Sequence, residues 1–207
     1  KPLLAASGLA AYGKNGCVLV PGLGSMFVIA GAVIPVPSPP EGPRLSSRLV
    51  DPCGTCQRCR LACPAGALEQ PGTVRRDLCL QGMAAHAREL DGSTMERWGT
   101  RLYGCQDCQA ACPHNSGLKE AARAATGEIG AGVSLRAFLS EDDGQRKRRF
   151  KGTALGVAWV EAEALLRNAL ISAGNRRDAS LRGGVERHLA HPSEAVRTAA
   201  RWARERL

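Results

Sequence analysis

Cys53-Gly54-Thr55-Cys56-Gln57-Arg58-Cys59-Arg60-Leu61-Ala62-Cys63-Pro64 decides the reading of this chain, together with Cys105-Gln106-Asp107-Cys108-Gln109-Ala110-Ala111-Cys112-Pro113 and the isolated Cys79 between them. The first run is C-x2-C-x2-C-x3-C-P, a spacing that wraps an iron–sulfur cluster. The second repeats C-x2-C-x3-C-P, with its leading cysteine displaced upstream to Cys79. Eight thiolates result, the number that two 4Fe–4S clusters require.

The spacing also predicts the pairing. Three cysteines two residues apart turn their thiolates inward around one cluster. The fourth, three residues on and followed by proline, reaches the other cluster. Cys53, Cys56, Cys59 and Cys112 are therefore expected on one cluster, and Cys63, Cys79, Cys105 and Cys108 on the second. Zinc would suit two C-x2-C pairs but leaves the repeated C-x3-C-P endings unexplained. Disulfides belong to small secreted scaffolds, and 207 residues at 44% apolar content can bury a core without them.

The ninth cysteine, Cys17, sits in an apolar run and reads as a small buried hydrophobe. Oxygen-sensitive clusters and a spare thiol predict a reducing, cytoplasmic setting. No signal peptide is visible, no apolar run reaches membrane-spanning length, and a monomer without a membrane partner is expected. The chain opens at Lys1 rather than Met, which reads as a fragment or a processed product.

Outward from the cysteines, the expected class is α+β in three parts. Residues 1–50 read as the end of an α/β domain with a proline-rich connector over 35–50. Residues 51–118 read as a ferredoxin-like double-cluster module. Residues 119–207 read as HEAT-like helical repeats. In the first part, Lys1 to Leu9 is a weak helical pattern, Cys17 to Val20 a strand, and Phe27 to Ile34 a second buried strand. A helix is expected from Leu80 to Leu90. In the last part, 118–132 is small and polar, and three helices are expected: Ala154 to Ala173 ending at Gly174-Asn175, Ala179 to Ala190, and one N-capped by Ser193.

The formal net charge is +9 and lies at the ends: residues 119–207 carry seventeen Lys/Arg against eleven Asp/Glu, whereas residues 51–118 balance. A basic excess of this kind fits a polyanion, with a solvated basic surface as the plainer alternative. Arg146-Lys147-Arg148-Arg149-Phe150-Lys151 is its densest run.

Three blocks resemble the epoxyqueuosine reductase family: Gly8-Leu9…Gly13-Lys14-Asn15 with Gly24-Ser25; the cysteine module with Arg101-Leu102-Tyr103-Gly104-Cys105-Gln106-Asp107-Cys108-Gln109; and Phe150-Lys151-Gly152-Thr153-Ala154 with Arg167-Asn168-Ala169…Gly174-Asn175. The resemblance covers nearly the whole chain but only the later part of the family's length. It implies a cobalamin- and iron–sulfur-dependent oxidoreductase that converts epoxyqueuosine to queuosine in tRNA. The family's acidic residue would lie upstream of Lys1, so no catalytic residue is assigned here. Implied cobalamin contacts fall on Lys14, Val18, Ile29, Gln81, Gln106 and Asp107. Implied tRNA contacts are Arg148, Arg149, Lys151, Arg176 and Arg177, and ferredoxin or flavodoxin is the implied electron donor. A ferredoxin-like electron carrier, or a related corrinoid reductase with another substrate, is the alternative.

Overall fold

The computed structural model describes residues 1–32, 35, 51–117 and 132–207. The connector over 36–50, the end of the Phe27–Ile34 run, and residues 118–131 lie outside the described residues. The chain divides into two units: Lys1–Arg75 with Gln106–Ala121, and Arg76–Cys105 with Ala122–Leu207. The units interleave along the sequence, so the expected bounds at 50/51 and 118/119 do not coincide with them.

The first unit begins with α1 (Pro2–Ala6), then β1 (Ala11–Tyr12) and β2 (Val18–Leu19). The strands pair antiparallel, Ala11 with Leu19 and Tyr12 with Val18. Between them, the Gly13 N–H donates to the Cys17 carbonyl at 2.8 Å, and the Lys14 carbonyl accepts from Gly72 at 3.1 Å. Gly16 is left-handed at φ 70°. A Cβ there would stand 2.8 Å from Val74 Cγ2, so only glycine lets this turn lie against residues 72–74.

Gly24, at φ 67°, carries a second such approach: a Cβ would meet Asn115 Oδ1 at 2.1 Å. The space admits the Asn115 side chain instead, whose Oδ1 accepts from the Ser25 N–H at 2.8 Å and whose Nδ2 donates to the Gln109 carbonyl at 2.7 Å. Gln109 Nε2 donates in turn to the Ser25 carbonyl at 2.9 Å.

The second apolar strand is not formed. Over its described residues the run from Phe27 is irregular, with Val28 94% and Ile29 43% exposed. Among the described residues it pairs with neither strand of the hairpin. Among the described residues the strand content is one hairpin of two-residue strands. The chain is helix-rich with few strands, and an α/β corrinoid domain and HEAT-type repeats stay expectations of the sequence.

The second unit is built on α8 (Ala162–Arg176), buried continuously from Ala164 to Gly174. α10 (Glu194–Arg204) turns Ala195, Val196, Ala199, Ala200 and Ala203 inward. Around them lie α3 (Leu80–Met83), α4 (Gly92–Trp98), α6 (Leu135–Ser140), α7 (Asp143–Phe150) and α9 (Arg182–Glu186). α4 is N-capped by Asp91 through Thr94, and α7 by a capping box of Asp142 and Gln145.

Three helix expectations change. The 154–173 helix starts only at Ala162 and runs on to Arg176, where Arg177 takes the left-handed conformation at φ 54°. Gly174 does not stop the helix. A Cβ on it would lie 2.6 Å from Trp202 and 2.9 Å from Ala203 Cα, so its role is close approach of α8 and α10. The 80–90 helix ends at Met83 because the carbonyls of residues 83, 84, 86 and 88 are taken by side chains of α8. The 179–190 helix breaks into a 3-10 turn, Ala179–Leu181, and α9. Ser193 does occupy the N-cap position of α10, but its side chain makes no capping bond.

Candidate iron–sulfur centre

Residues 57–63 and 106–112 of the two cysteine motifs fold alike within the first unit. α2 (Arg58–Leu61) follows Gln57 at φ −124°, ψ 6° and ends at Ala62 (−80°, −10°). α5 (Asp107–Ala110) follows Gln106 at φ −122°, ψ 9° and ends at Ala111 (−77°, −8°). The backbone bonds match as well: Cys63 donates to Arg60 and Cys112 to Gln109, at 3.3 and 3.1 Å. Each motif is a single helical turn that closes before its Cys-Pro, and at Cys112 the backbone is extended, so this last cysteine leaves the turn.

Cys53, Cys56, Cys59 and Cys112 line one cavity with Lys14, Asn15, Leu19, Pro113 and His114. Cys53, Cys56, Cys59 and Cys112 form no disulfides. Burial pushes the Cys59 thiol up, the charge of Cys53 adds to this and Cys112 contributes further, while the Arg60 N–H opposes. Thiolates that repel one another around a cavity need a cation between them. Among the described residues, no three His, Cys, Asp or Glu side chains are spaced for a single metal ion. Four thiols on one cavity, in the spacing that wraps a cluster, fit an iron–sulfur core.

The Lys14 ammonium is not free in solvent. It donates to the Gly54 carbonyl at 2.5 Å and the Cys56 carbonyl at 3.0 Å. The Lys14 backbone N–H points at Cys53 Sγ from 3.4 Å. His114 Nε2 lies 2.8 Å from the Pro52 carbonyl, at the entry to the same loop. These contacts hold the first three cysteines from outside.

Of the other cysteines, Cys63 and Cys108 belong to the first unit, and Cys79 and Cys105 to the second. Cys63 Sγ accepts from the Ala67 N–H at 3.3 Å. In the second unit, Gln81 Oε1 accepts from the Cys105 N–H at 3.2 Å, linking the turn after Cys79 to Cys105. Cys17 is half-buried rather than buried.

Of the expected cobalamin positions, Gln81 is exposed and bonded to Cys105 as above. Val18 is buried in the hairpin and Ile29 is exposed. Lys14 is engaged as above, Gln106 is exposed and Asp107 half-buried. Of the expected tRNA residues, Arg148, Lys151, Arg176 and Arg177 are exposed, and Arg149 is exposed but paired with Glu141. Arg146, from the same basic run, is buried and bonded to Asp143 at 2.7 Å. Asn15, Asn115, Arg167 and Asn168 carry roles that no residue-level signal separated from ordinary polar positions, although each lies in or beside a quoted motif.

No helix among the described residues is long and apolar enough to cross a membrane. Residues 52–115 match the family described as a 4Fe-4S double cluster binding domain. Epoxyqueuosine reductase of Bacillus subtilis (strain 168) is 30% identical over 95% of this chain and 50% of its own length. That of Salmonella typhimurium is 30% identical over 84% of this chain and 44% of its own. Among solved structures, a selenomethionine-labelled epoxyqueuosine reductase superposes with TM-score 0.78 at 25% identity, over 97% of this chain and 52% of that one. Another, epoxyqueuosine reductase with an epoxyqueuosine-modified tRNA-Tyr stem loop, shares the fold at TM-score 0.76 and 24% identity, over 99% of this chain and 54% of that one. The chain spans about half the length of the curated relatives it matches. Over that half it is similar to the epoxyqueuosine reductases, and residues 52–115 carry the match to a double 4Fe–4S domain.

Proposed function

We propose that this chain is the electron-delivery and tRNA-contacting part of a cobalamin-dependent epoxyqueuosine reductase. The observation that carries the reading is the four-thiol cavity of Cys53, Cys56, Cys59 and Cys112 inside a duplicated motif, in a chain similar to these reductases. Cys63, Cys79, Cys105 and Cys108 hold the second cluster. Removing the epoxide oxygen as water takes two electrons and two protons. Each cluster carries one electron at a time, from a donor such as ferredoxin or flavodoxin.

Cobalamin, when bound, supplies the reductive chemistry at the epoxide. This chain's part is to present the clusters and an apolar surface: Leu23, Met26, Val28 and Ile29 are exposed around one of the implied contacts. Lys14 serves the first cluster loop rather than reaching outward. No residue of this chain is assigned the proton donor. The exposed Arg148, Lys151, Arg176 and Arg177, with Arg149, form the RNA-facing set.

The test is anaerobic reconstitution with iron and sulfide, followed by binding to epoxyqueuosine-containing tRNA with and without cobalamin. About eight irons per chain and retention of the tRNA support the reading. Zinc without acid-labile sulfide removes the cluster reading. Both clusters without any tRNA binding at low salt leave an electron carrier.

A further inference from the structure

Asn15 lines the cavity of Cys53, Cys56, Cys59 and Cys112, and it is only 4% exposed. Its Oδ1 accepts from the Cys17 N–H at 3.1 Å. That bond fixes the amide: turned over, it would set its NH2 against another donor. The Nδ2 that remains is buried and has no hydrogen-bond partner. The side chain is also held by packing, since a Cβ on Gly13 would come within 3.1 Å of Asn15 Oδ1.

A buried amide donor without an acceptor is costly, and native chains keep one only where something else satisfies it. Four cysteine sulfurs stand as acceptors on the same lining, and the adjacent Lys14 N–H already points at Cys53 Sγ. A 4Fe–4S cluster on these four thiolates would present both thiolate and sulfide sulfur to the wall on which Asn15 lies.

We propose that the Asn15 side-chain amide donates a hydrogen bond to a sulfur of the first cluster and thereby raises its reduction potential. The inference rests on the reading that these four cysteines hold a cluster. Reduction adds one negative charge to the cluster, so a fixed N–H donor stabilises the reduced form more than the oxidised one. Asn15→Asp keeps the shape and the acceptor for Cys17 but replaces the donor with a carboxylate.

The experiment uses the whole chain, reconstituted without oxygen and titrated with reductant under paramagnetic resonance. In Asn15→Asp, one of the two one-electron steps is expected to move to more negative potential by at least a tenfold change in the reduced-to-oxidised ratio, about 59 mV. The other step stays in place. Hyperfine spectroscopy of the reduced wild-type chain, with 15N in asparagine side chains, is expected to show one coupled nitrogen that Asn15→Asp removes. Asn115 Nδ2, the nearby alternative, is committed to Ser25 and Gln109. Full iron content with both potentials unmoved overturns the proposal, as does a wild-type cluster with no coupled asparagine nitrogen. The wild-type spectrum decides the matter if the variant loses its cluster. A wild-type chain that assembles no cluster at these cysteines overturns the underlying reading instead, and the inference falls with it.

Discussion

Arg167, 1% exposed on α8, holds the carbonyl oxygen of Met83 at 2.9 Å across 84 residues of sequence. The same guanidinium reaches the carbonyls of His86 and Arg88 at 2.7 and 2.9 Å. Its neighbour Asn168 donates to Ala84 and Leu102 at 3.0 and 2.9 Å. Two consecutive side chains thus fix the segment after Cys79 and the segment before Cys105 by their backbones. Burial is the main reason the Arg167 pKa is pushed down to about 10, with Arg88 adding and Glu161 opposing, so the group stays charged at neutral pH.

Arg167→Ala leaves three carbonyls, one buried and two part-buried, without their donor. A loss on the order of 3 kcal/mol is expected, and about 2 kcal/mol for Asn168→Ala, read as shifts in the urea midpoint. Arg167→Lys should not restore stability, because an ammonium cannot reproduce the planar fork that spans the three carbonyls. Full rescue by lysine would mean that charge alone matters there.

Acid should weaken the second unit through His188. This side chain is buried, and its Nε2 lies 3.0 Å from the Leu139 carbonyl. Burial holds its pKa below the usual 6.5; Arg146 and His191 push the same way, while the Leu139 contact and Asp143 oppose. The folded chain therefore binds fewer protons than the unfolded one, and the stabilisation is lost as pH falls through 6.5 towards the folded value. The urea midpoint should fall between about pH 7 and pH 5.5, and His188→Gln should flatten that dependence. An equal slope in the variant would place the sensitivity elsewhere.

Lys14→Met removes the ammonium from the Gly54 and Cys56 carbonyls. Contacts that support metal ligands typically carry tenfold to hundredfold in affinity, so the first cluster should be lost to a chelator about tenfold faster or more. Loss at the wild-type rate would make the contact incidental.

Cys112→Ala should cost the cluster of Cys53, Cys56 and Cys59, although it lies in the other motif. Iron should fall from about eight to about four per chain. Cys63→Ala should do the same to the second cluster. Full iron content in either variant, without a substitute ligand, would break the crossover.

Binding of tRNA should fall steeply with salt. Each phosphate contact contributes about 0.7–0.9 to the slope of log affinity against log salt. Reversing Arg148 and Arg177 to glutamate should flatten that slope by two such increments and leave the iron unchanged. Reversing Arg149 should do less, since it is already paired with Glu141. An unchanged slope would move the RNA surface off this unit.

The cysteine motifs were legible because their chemistry is local: spacings of two and three residues and a following proline set the turn. The cavity then gathers Cys112 with Cys53, Cys56 and Cys59, as the spacing anticipates. Periodicity served less well. Gly174 looked like a helix stop, but the face of α10 packed against it decides its role. Phe27 to Ile34 looked like a buried strand, yet burial depends on a neighbour that no local pattern supplies.

The sequence by itself determined the cysteine spacing, the duplicated motif and the family resemblance, because thiolate chemistry and short turns are written in adjacent residues. Only the tertiary structure decided that Lys14 grips the cluster loop, that Asn15 keeps a buried donor at the cavity, and that Arg167 and Asn168 hold backbone some eighty residues away. Those roles belong to polar atoms, most of whose partners are main-chain carbonyls. A carbonyl is the same in every residue, so no side-chain pattern announces which one will be met.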